Sequence, residues 1–403
     1  MTTYKELTNC LACGHDKLQL VLDLNDQPLA NSFKLNAEDV EDNYPLKLNV
    51  CTDCTHLQLS HAVNPDLLFK NYLYVSGTTQ TLRDYFDWFA QDTLNYFTSK
   101  PKTILDIACN DGSQLDSYKK LGLETYGIDP ATNLHSISTD KGHNVICDYL
   151  KEEHVEQLPK MDIITAQNVF AHNSYPLEFL KICKNMLSKD GLLFVQTSQA
   201  DMVKQNYFDT IYHEHLSFFN ASSMNALAHR AGLTLHAINK TEIHGGSYVF
   251  VFGKSGATGQ QAKDVLEEER KAGLQNLVTY SKYADNCNNI VAELNKTISD
   301  YVENGYKIVG YGAAAKGNTL LNYAGFKLDF VIDDNPLKQN LYTPGSSILV
   351  TPIEELIKYK DAKILFVPLA WNFYDEIVSR IKQVRDTGND KFVRYFPSVT
   401  VDD

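Results

Sequence analysis

The densest run of titratable side chains in this 403-residue chain is Asp209-Thr210-Ile211-Tyr212-His213-Glu214-His215. Histidine's ordinary pKa lies near neutrality, so an imidazole flanked by a carboxylate and a phenol can act as a general base. A zinc protease helix would carry H-E-x-x-H. Here the order is H-E-H, and two histidines this close do not share a helical face. General base or satisfied structural histidine are the readings left.

A second group of reactive types lies at Lys102–Leu115, KTILDIACNDGSQL. Thr103–Ile107 reads as a buried strand, Ala108, Asn110 and Gly112 as a small-residue turn, and Ser113 as the start of a helix. Thr125–Ile128 reads as a second strand ending on Asp129. A strand-end acid following a tight turn is where an α/β sheet takes ribose hydroxyls. The turn departs from G-x-G-x-x-G, and it carries Asp106 and Asp111. Two carboxylates repel a pyrophosphate but attract the ammonium and sulfonium of S-adenosylmethionine, so that methyl donor is favoured over NAD. An α/β turn with no ligand is the alternative.

The third group is Cys10-x-x-Cys13 with Cys51-x-x-Cys54. Two such knuckles complete a tetrahedral sulfur site, the closed geometry of structural zinc, with no open position for catalysis. His15, His56 and His61 lie nearby as possible substitutes.

Other polar residues fall at predicted loops and strand ends. Tyr72, Tyr74 and Ser76 precede a helix in which Tyr85, Phe86, Trp88 and Phe89 read as core. His143–Cys147 ends at Asp148, a candidate partner for an adenine amino group, and Met161–Ala166 ends at Gln167-Asn168, on the same cofactor rim. Gly191–Thr197 reads as the fifth strand. The polar loop containing His244 and Ser247 reads either as a phosphate-binding turn or as a hairpin. A second α/β pattern begins at Lys307–Tyr311, followed by the turn GAAAKGN and the strand Leu328–Ile332. Lys316 there sits where a phosphate is easily met, and Trp371, after the strand Lys363–Val367, falls on the same rim. A half-site for a nucleotide-sugar diphosphate and a purely structural lobe both remain open.

Repeated strand–turn–helix units predict an α/β fold with parallel sheets. The expected division is a zinc-binding domain over 1–70, a methyl-donor domain over 71–255, a helical connector over 256–300 and a Rossmann-like domain over 301–403. The net charge of −13 and the lack of a basic stripe count against a nucleic-acid partner. No apolar run is long enough to span a bilayer, so no membrane partner is expected, and a cytoplasmic location is the default.

Taken together, the paired Cys knuckles, YVSGTTQTLR, ILDIACNDGSQL, GIDPATNL, AQNVFAH, FDTIYHEHLSFF, HGGS, GYGAAAKGNTLLNY and LAWNF resemble the nucleotide-sugar C-methyltransferases of branched deoxysugar biosynthesis. The resemblance implies a class I methyltransferase domain between an N-terminal zinc domain and a C-terminal Rossmann-like lobe. It implies methylation of carbon 3 of a nucleotide-linked 4-keto-6-deoxyhexose through an enolate. It assigns the base to His215, with Tyr212 and Glu214 beside it, places His172 near the sugar, and has Tyr72 or Tyr74 close the pocket. The chain departs from the pattern at Gln196-Thr197-Ser198-Gln199, where many members carry Glu-x-Pro-Tyr, and at Tyr248-Val249 after HGGS, near where an arginine is often found.

Overall fold

The short strands between residues 103 and 197 are apolar at successive positions, a pattern stable only where both faces of a sheet are covered. The computed structural model, which describes residues 3–69 and 75–403, shows that covering. The seven-stranded sheet runs Thr234–Thr241, Ser247–Gly253, Leu187–Thr197, Met161–Gln167, Thr103–Ile107, Glu124–Ile128, Asn144–Ile146 from edge to edge. The last five are mutually parallel, while Ser247–Gly253 runs antiparallel to both of its neighbours. This is the class I methyltransferase arrangement. Successive residues face opposite cores: Ile104, Ile163 and Phe194 pack with Phe89 and Tyr118, whereas Leu105, Ile164 and Val195 pack with Phe179, Leu180 and Leu227.

The strand order reverses between Thr103–Ile107 and Met161–Gln167, so ligands are expected beyond the carboxyl ends of these two strands. There the turn at 108–112 has left-handed backbone at Ala108 (φ 60°), Asn110 (φ 51°) and Gly112 (φ 76°). It keeps the backbone path of a glycine-rich loop with a single glycine, and Ala108 bears the steric cost.

The N-terminal residues form a four-stranded antiparallel sheet, ordered Ser217–Phe218, Leu57–Leu59, Tyr44–Cys51, Leu18–Gln27. Its outer strand is the end of the His-Glu-His segment, which ties that segment to the N-terminal domain. The C-terminal lobe has a six-stranded sheet: Val350–Thr351, Phe330–Ile332, Lys307–Tyr311, Ile364–Pro368, Lys391–Arg394, Thr400–Asp402, all parallel but the last. Its order reverses at Lys307–Tyr311 and Ile364–Pro368, which places the loops bearing Lys316 and Trp371 side by side.

Several expectations shift in detail. The fifth strand starts earlier, at Leu187, with a register break before Leu192. Phe86 and Phe89 are core, but Trp88 is exposed, because the helix Gln80–Leu94 buries only one stripe. The segment expected as a connector is two helices, Gln260–Lys271 and Leu277–Glu303. The longer buries Tyr280, Tyr283, Cys287, Ile290, Leu294 and Ile298, a three-to-four-residue stripe that packs with Leu22 and Leu46 of the N-terminal domain and Ile308 and Val331 of the C-terminal lobe. It therefore joins domains by burial as well as by sequence.

The loop's backbone gives a stability test. Ala108→Gly should raise stability by about 1 kcal/mol by relieving a left-handed alanine. Gly112→Ala should cost about 1–3 kcal/mol, since its Cβ would lie 2.9 Å from the His143 ring at φ 76°. Chemical denaturation of the two variants checks both signs.

Candidate functional site

The cofactor crevice is organised by two buried carboxylates. Asp129 accepts hydrogen bonds from the amides of Asn110 (2.8 Å) and Ala131 (2.8 Å), and so fixes the turn to the second strand. Asp106 accepts from the Thr165 hydroxyl at 2.6 Å, and burial pushes its pKa up to about 7. Ser76 belongs to the loop above: its amide donates to Asn110 Oδ1 at 3.0 Å. On the other side of the strand reversal, Asn168 has left-handed backbone (φ 54°). Its Oδ1 and the neighbouring Gln167 Oε1 are buried without a hydrogen-bond partner among the described residues. Unpaired buried acceptors beside an acidic loop suit a cationic ligand bearing N–H and O–H donors, as S-adenosylmethionine does.

Asp148, the acid expected to face adenine, is held in place by Lys151, whose Nζ lies 2.5 Å from one carboxylate oxygen, and by the Tyr149 amide, 2.8 Å from the other.

The four thiols converge. Cys10 and Cys54 sulfurs are 3.6 Å apart, Cys13 and Cys51 sulfurs 3.5 Å, and all four lie within 4.8 Å of one another. Zn–S bonds of about 2.3 Å in a tetrahedron require sulfur separations of roughly 3.8 Å, so the donor set fits zinc. The two knuckles share one closure: Gly14 (φ 84°) and Thr55 (φ 57°) donate to the carbonyls of Cys10 and Cys51. Of the histidines nearby, His56 is buried on Phe219 and Ser217, His15 faces Asp53 and His61 faces Ser60; none replaces a thiolate.

The His-Glu-His segment splits three ways. His213 turns into the N-terminal sheet, where Nε2 meets the Tyr44 carbonyl at 3.2 Å, and its role is packing. Glu214 accepts from Asn31 Nδ2 at 2.5 Å, and burial pushes its pKa up to about 7 against the effect of that bond. His215 turns inward. Its Nδ1 lies 2.7 Å from the Thr210 carbonyl, which only accepts, so Nδ1 carries the proton and Nε2 holds the lone pair. The Tyr212 hydroxyl (2.9 Å) and the Gln199 amide (3.1 Å) approach Nε2. Burial, with His172 and Lys316 adding, holds His215 well below the usual histidine pKa, so the imidazole is neutral at pH 7. His172 stacks on His215 at 5.3 Å and is itself lowered to about 4 by burial.

The C-terminal lobe closes the far side. The Trp371 indole donates to Asp209 at 2.7 Å, and Lys316 Nζ lies 4.8 Å above the Trp371 ring. Burial raises Asp209 to about 7 and lowers Lys316, each opposed by the other's charge. Gly245 packs on Trp371, which brings the turn at 243–246 to this rim. That turn is the hairpin connection between Thr234–Thr241 and Ser247–Gly253. Ser247 is buried with its hydroxyl donating to Ile243, so the side chain expected to meet substrate instead closes the turn. Tyr72, Tyr74 and the His244 side chain lie outside the described residues.

The structure thus brings Tyr212, His215, His172, Lys316 and Trp371 together, and sets the carboxylate of Glu214, the residue before His215, on Asn31. It adds Asn31, Gln199, Asp209 and Thr210. Asp209 and Thr210 stood in the quoted cluster without a role, Gln199 stood in the departing stretch, and nothing local marked Asn31.

Stripping the metal, or Cys51→Ser, should lower the melting temperature by roughly 10 °C or more, because ligation supplies folding free energy. Activity should fall with it, since Ser217–Phe218 belongs to the same sheet, while S-adenosylmethionine affinity changes little. Calorimetry of the metal-free and metal-loaded protein checks this, and an unchanged transition would contradict ligation.

Family matches fall on three consecutive stretches: a zinc binding domain at 10–69, a methyltransferase domain at 81–238, and a C-methyltransferase C-terminal domain at 242–397. C-methyltransferase NovU of Streptomyces niveus is 29% identical over 415 aligned residues, covering 98% of this chain and 97% of that protein. A ubiquinone biosynthesis O-methyltransferase of Glaesserella parasuis serovar 5 is 35% identical over 106 residues, 24% of this chain and 45% of that one. Among solved structures, the plantazolicin methyltransferase BpumL with SAH aligns at 16% identity and TM-score 0.36, over 44% of this chain and 87% of that one. No helix among the described residues is long and apolar enough to cross a membrane. The matched stretches together identify an S-adenosylmethionine-dependent C-methyltransferase with an N-terminal zinc-binding domain and a C-terminal C-methyltransferase domain.

Proposed function

We propose that the methyl acceptor is carbon 3 of a nucleotide-linked 4-keto-6-deoxyhexose, and that His215 Nε2 removes its proton. The observation that carries this is the fixed tautomer of His215: a buried, neutral imidazole with Nδ1–H given to Thr210 and its lone pair on the nitrogen that Tyr212 and Gln199 face. A carbon α to a ketone needs such a base, because deprotonation gives an enolate whose carbon is nucleophilic.

Bound S-adenosylmethionine supplies the electrophilic methyl group. The chain's own residues do the rest. Thr210 orients the imidazole and steadies the imidazolium after proton transfer. His172 and Lys316 lie close enough to His215 to act on its charge, and the same groups favour negative charge developing on the ketone oxygen. Lys316, over the Trp371 ring, is also suited to a diphosphate. The sequence resemblance favours the sugar acceptor, and the cation on the C-terminal rim is consistent with an anionic carrier. The same resemblance supports Tyr72 or Tyr74 as the closing residue, and the acidic loop supports Asp106, Ala108, Asn110, Gly112, Asp129 and Asn168 as the cofactor's contacts. With the net charge of −13, these readings leave no nucleic-acid partner in the proposal.

The test is incubation with S-adenosylmethionine and a 4-keto sugar nucleotide in deuterium oxide. The expected result is exchange at carbon 3 and a new carbon-linked methyl. His215→Ala should abolish both and leave cofactor affinity within about twofold. An O-methyl product, or equal loss of exchange and cofactor binding, would overturn the assignment.

A further inference from the structure

Glu214 is the carboxylate next to the base, yet its hydrogen-bond partner comes from the other end of the chain. Asn31 Nδ2 donates to Glu214 Oε1 at 2.5 Å. Asn31 follows the strand Leu18–Gln27, which begins just after the first cysteine knuckle. Its backbone is pinned from the opposite side: Asn318 Nδ2 donates to the Ala30 carbonyl at 2.7 Å. Asn318 is buried on the helix Ala315–Ala324, two residues after Lys316. Two hydrogen bonds on adjacent residues, Ala30 and Asn31, therefore join the N-terminal domain to the His215 segment and to the C-terminal lobe.

We propose that Asn31 is a positioning residue for the methyl transfer, orienting the carboxylate of Glu214 on the residue next to His215 and favouring its charged form, so that the zinc-binding domain takes part in the reaction. The proposal rests on the reading of His215 as the base.

The chemistry is directional. An amide N–H stabilises a carboxylate and gives a carboxylic acid much less, so the bond opposes the effect of burial. An ionised Glu214 accepts from a sugar hydroxyl and favours the imidazolium that proton transfer creates on the next residue. A protonated one does neither. The other charged or titratable groups around this junction are accounted for. His213 points to Tyr44, His172 stacks on His215, and Lys316 and Asp209 offset each other across the cleft. Tyr212 lies on His215. Among the described residues, Asn31 is the hydrogen-bond donor to Glu214.

The closing experiment follows the acid limb of kcat/KM against pH, together with isotope-edited infrared titration of Glu214 in the full-length, metal-loaded enzyme. Asn31→Ala should move both the limb and the infrared titration upward by roughly one pH unit. Asn31→Asp, which keeps the shape and replaces the donor with a second carboxylate, should move them further and serves if the alanine variant fails to fold. Glu214→Gln should remove the limb, and Asn31→Ala added to it should move nothing more. A uniform loss of kcat at every pH, or an infrared shift without a shift in the limb, would overturn the proposal. Deuterium exchange at carbon 3 retained in His215→Ala, while the infrared titration of Glu214 still follows Asn31, would instead count against the base assignment.

Discussion

The 2.7 Å contact between His215 Nδ1 and the Thr210 carbonyl is the constraint on which the proposed chemistry turns. It fixes where the ring's proton is, and so which nitrogen is basic. Thr210 holds that position because the short helical turn Phe208–Thr210 is wedged against the helix Ala315–Ala324, with Asp209 tied to Trp371. On its other flank the segment ends as a strand of the N-terminal sheet. No single domain supplies the geometry. The base-bearing segment is held at both ends by domains that bracket the methyltransferase sheet in sequence.

This placement has a cost that the site offsets. Burial keeps the imidazole neutral, which preserves the lone pair, but it also makes the ring a weak base. A weak base removes a proton from carbon only when the resulting negative charge is stabilised where it forms. In the proposed reaction Lys316, with His172 and Tyr212 against the His215 ring, supplies that stabilisation, and the Thr210 carbonyl favours the positive charge left on His215. Burial raises three carboxyl groups toward neutrality: Asp106 in the methyltransferase sheet, Asp209 in the turn before His215, and Glu214 next to it in sequence. Such shifts collect where function outweighs stability.

Much of this was legible in the sequence because it is local. The turn Ala108–Gly112, the strand-end Asp129 and the doubled cysteine pairs each announce themselves within a few residues, and their chemistry follows from side-chain type. What was not legible depends on long-range contact. Asn31 meets Glu214 across 183 positions, and Trp371 meets Asp209 across 162. Gln199 was noticed only as a departure from a family pattern, and it proves to touch the base. Ser247, read as a substrate contact, is buried with its hydroxyl on the Ile243 carbonyl, a nearer partner that side-chain type alone does not reveal.

The account is tested most directly by nitrogen NMR of the enzyme with labelled histidine, with His215→Gln used to assign the His215 ring. At pH 7 the account predicts a neutral ring protonated at Nδ1 with an unprotonated Nε2. An Nε2–H tautomer, or an imidazolium at that pH, would contradict it.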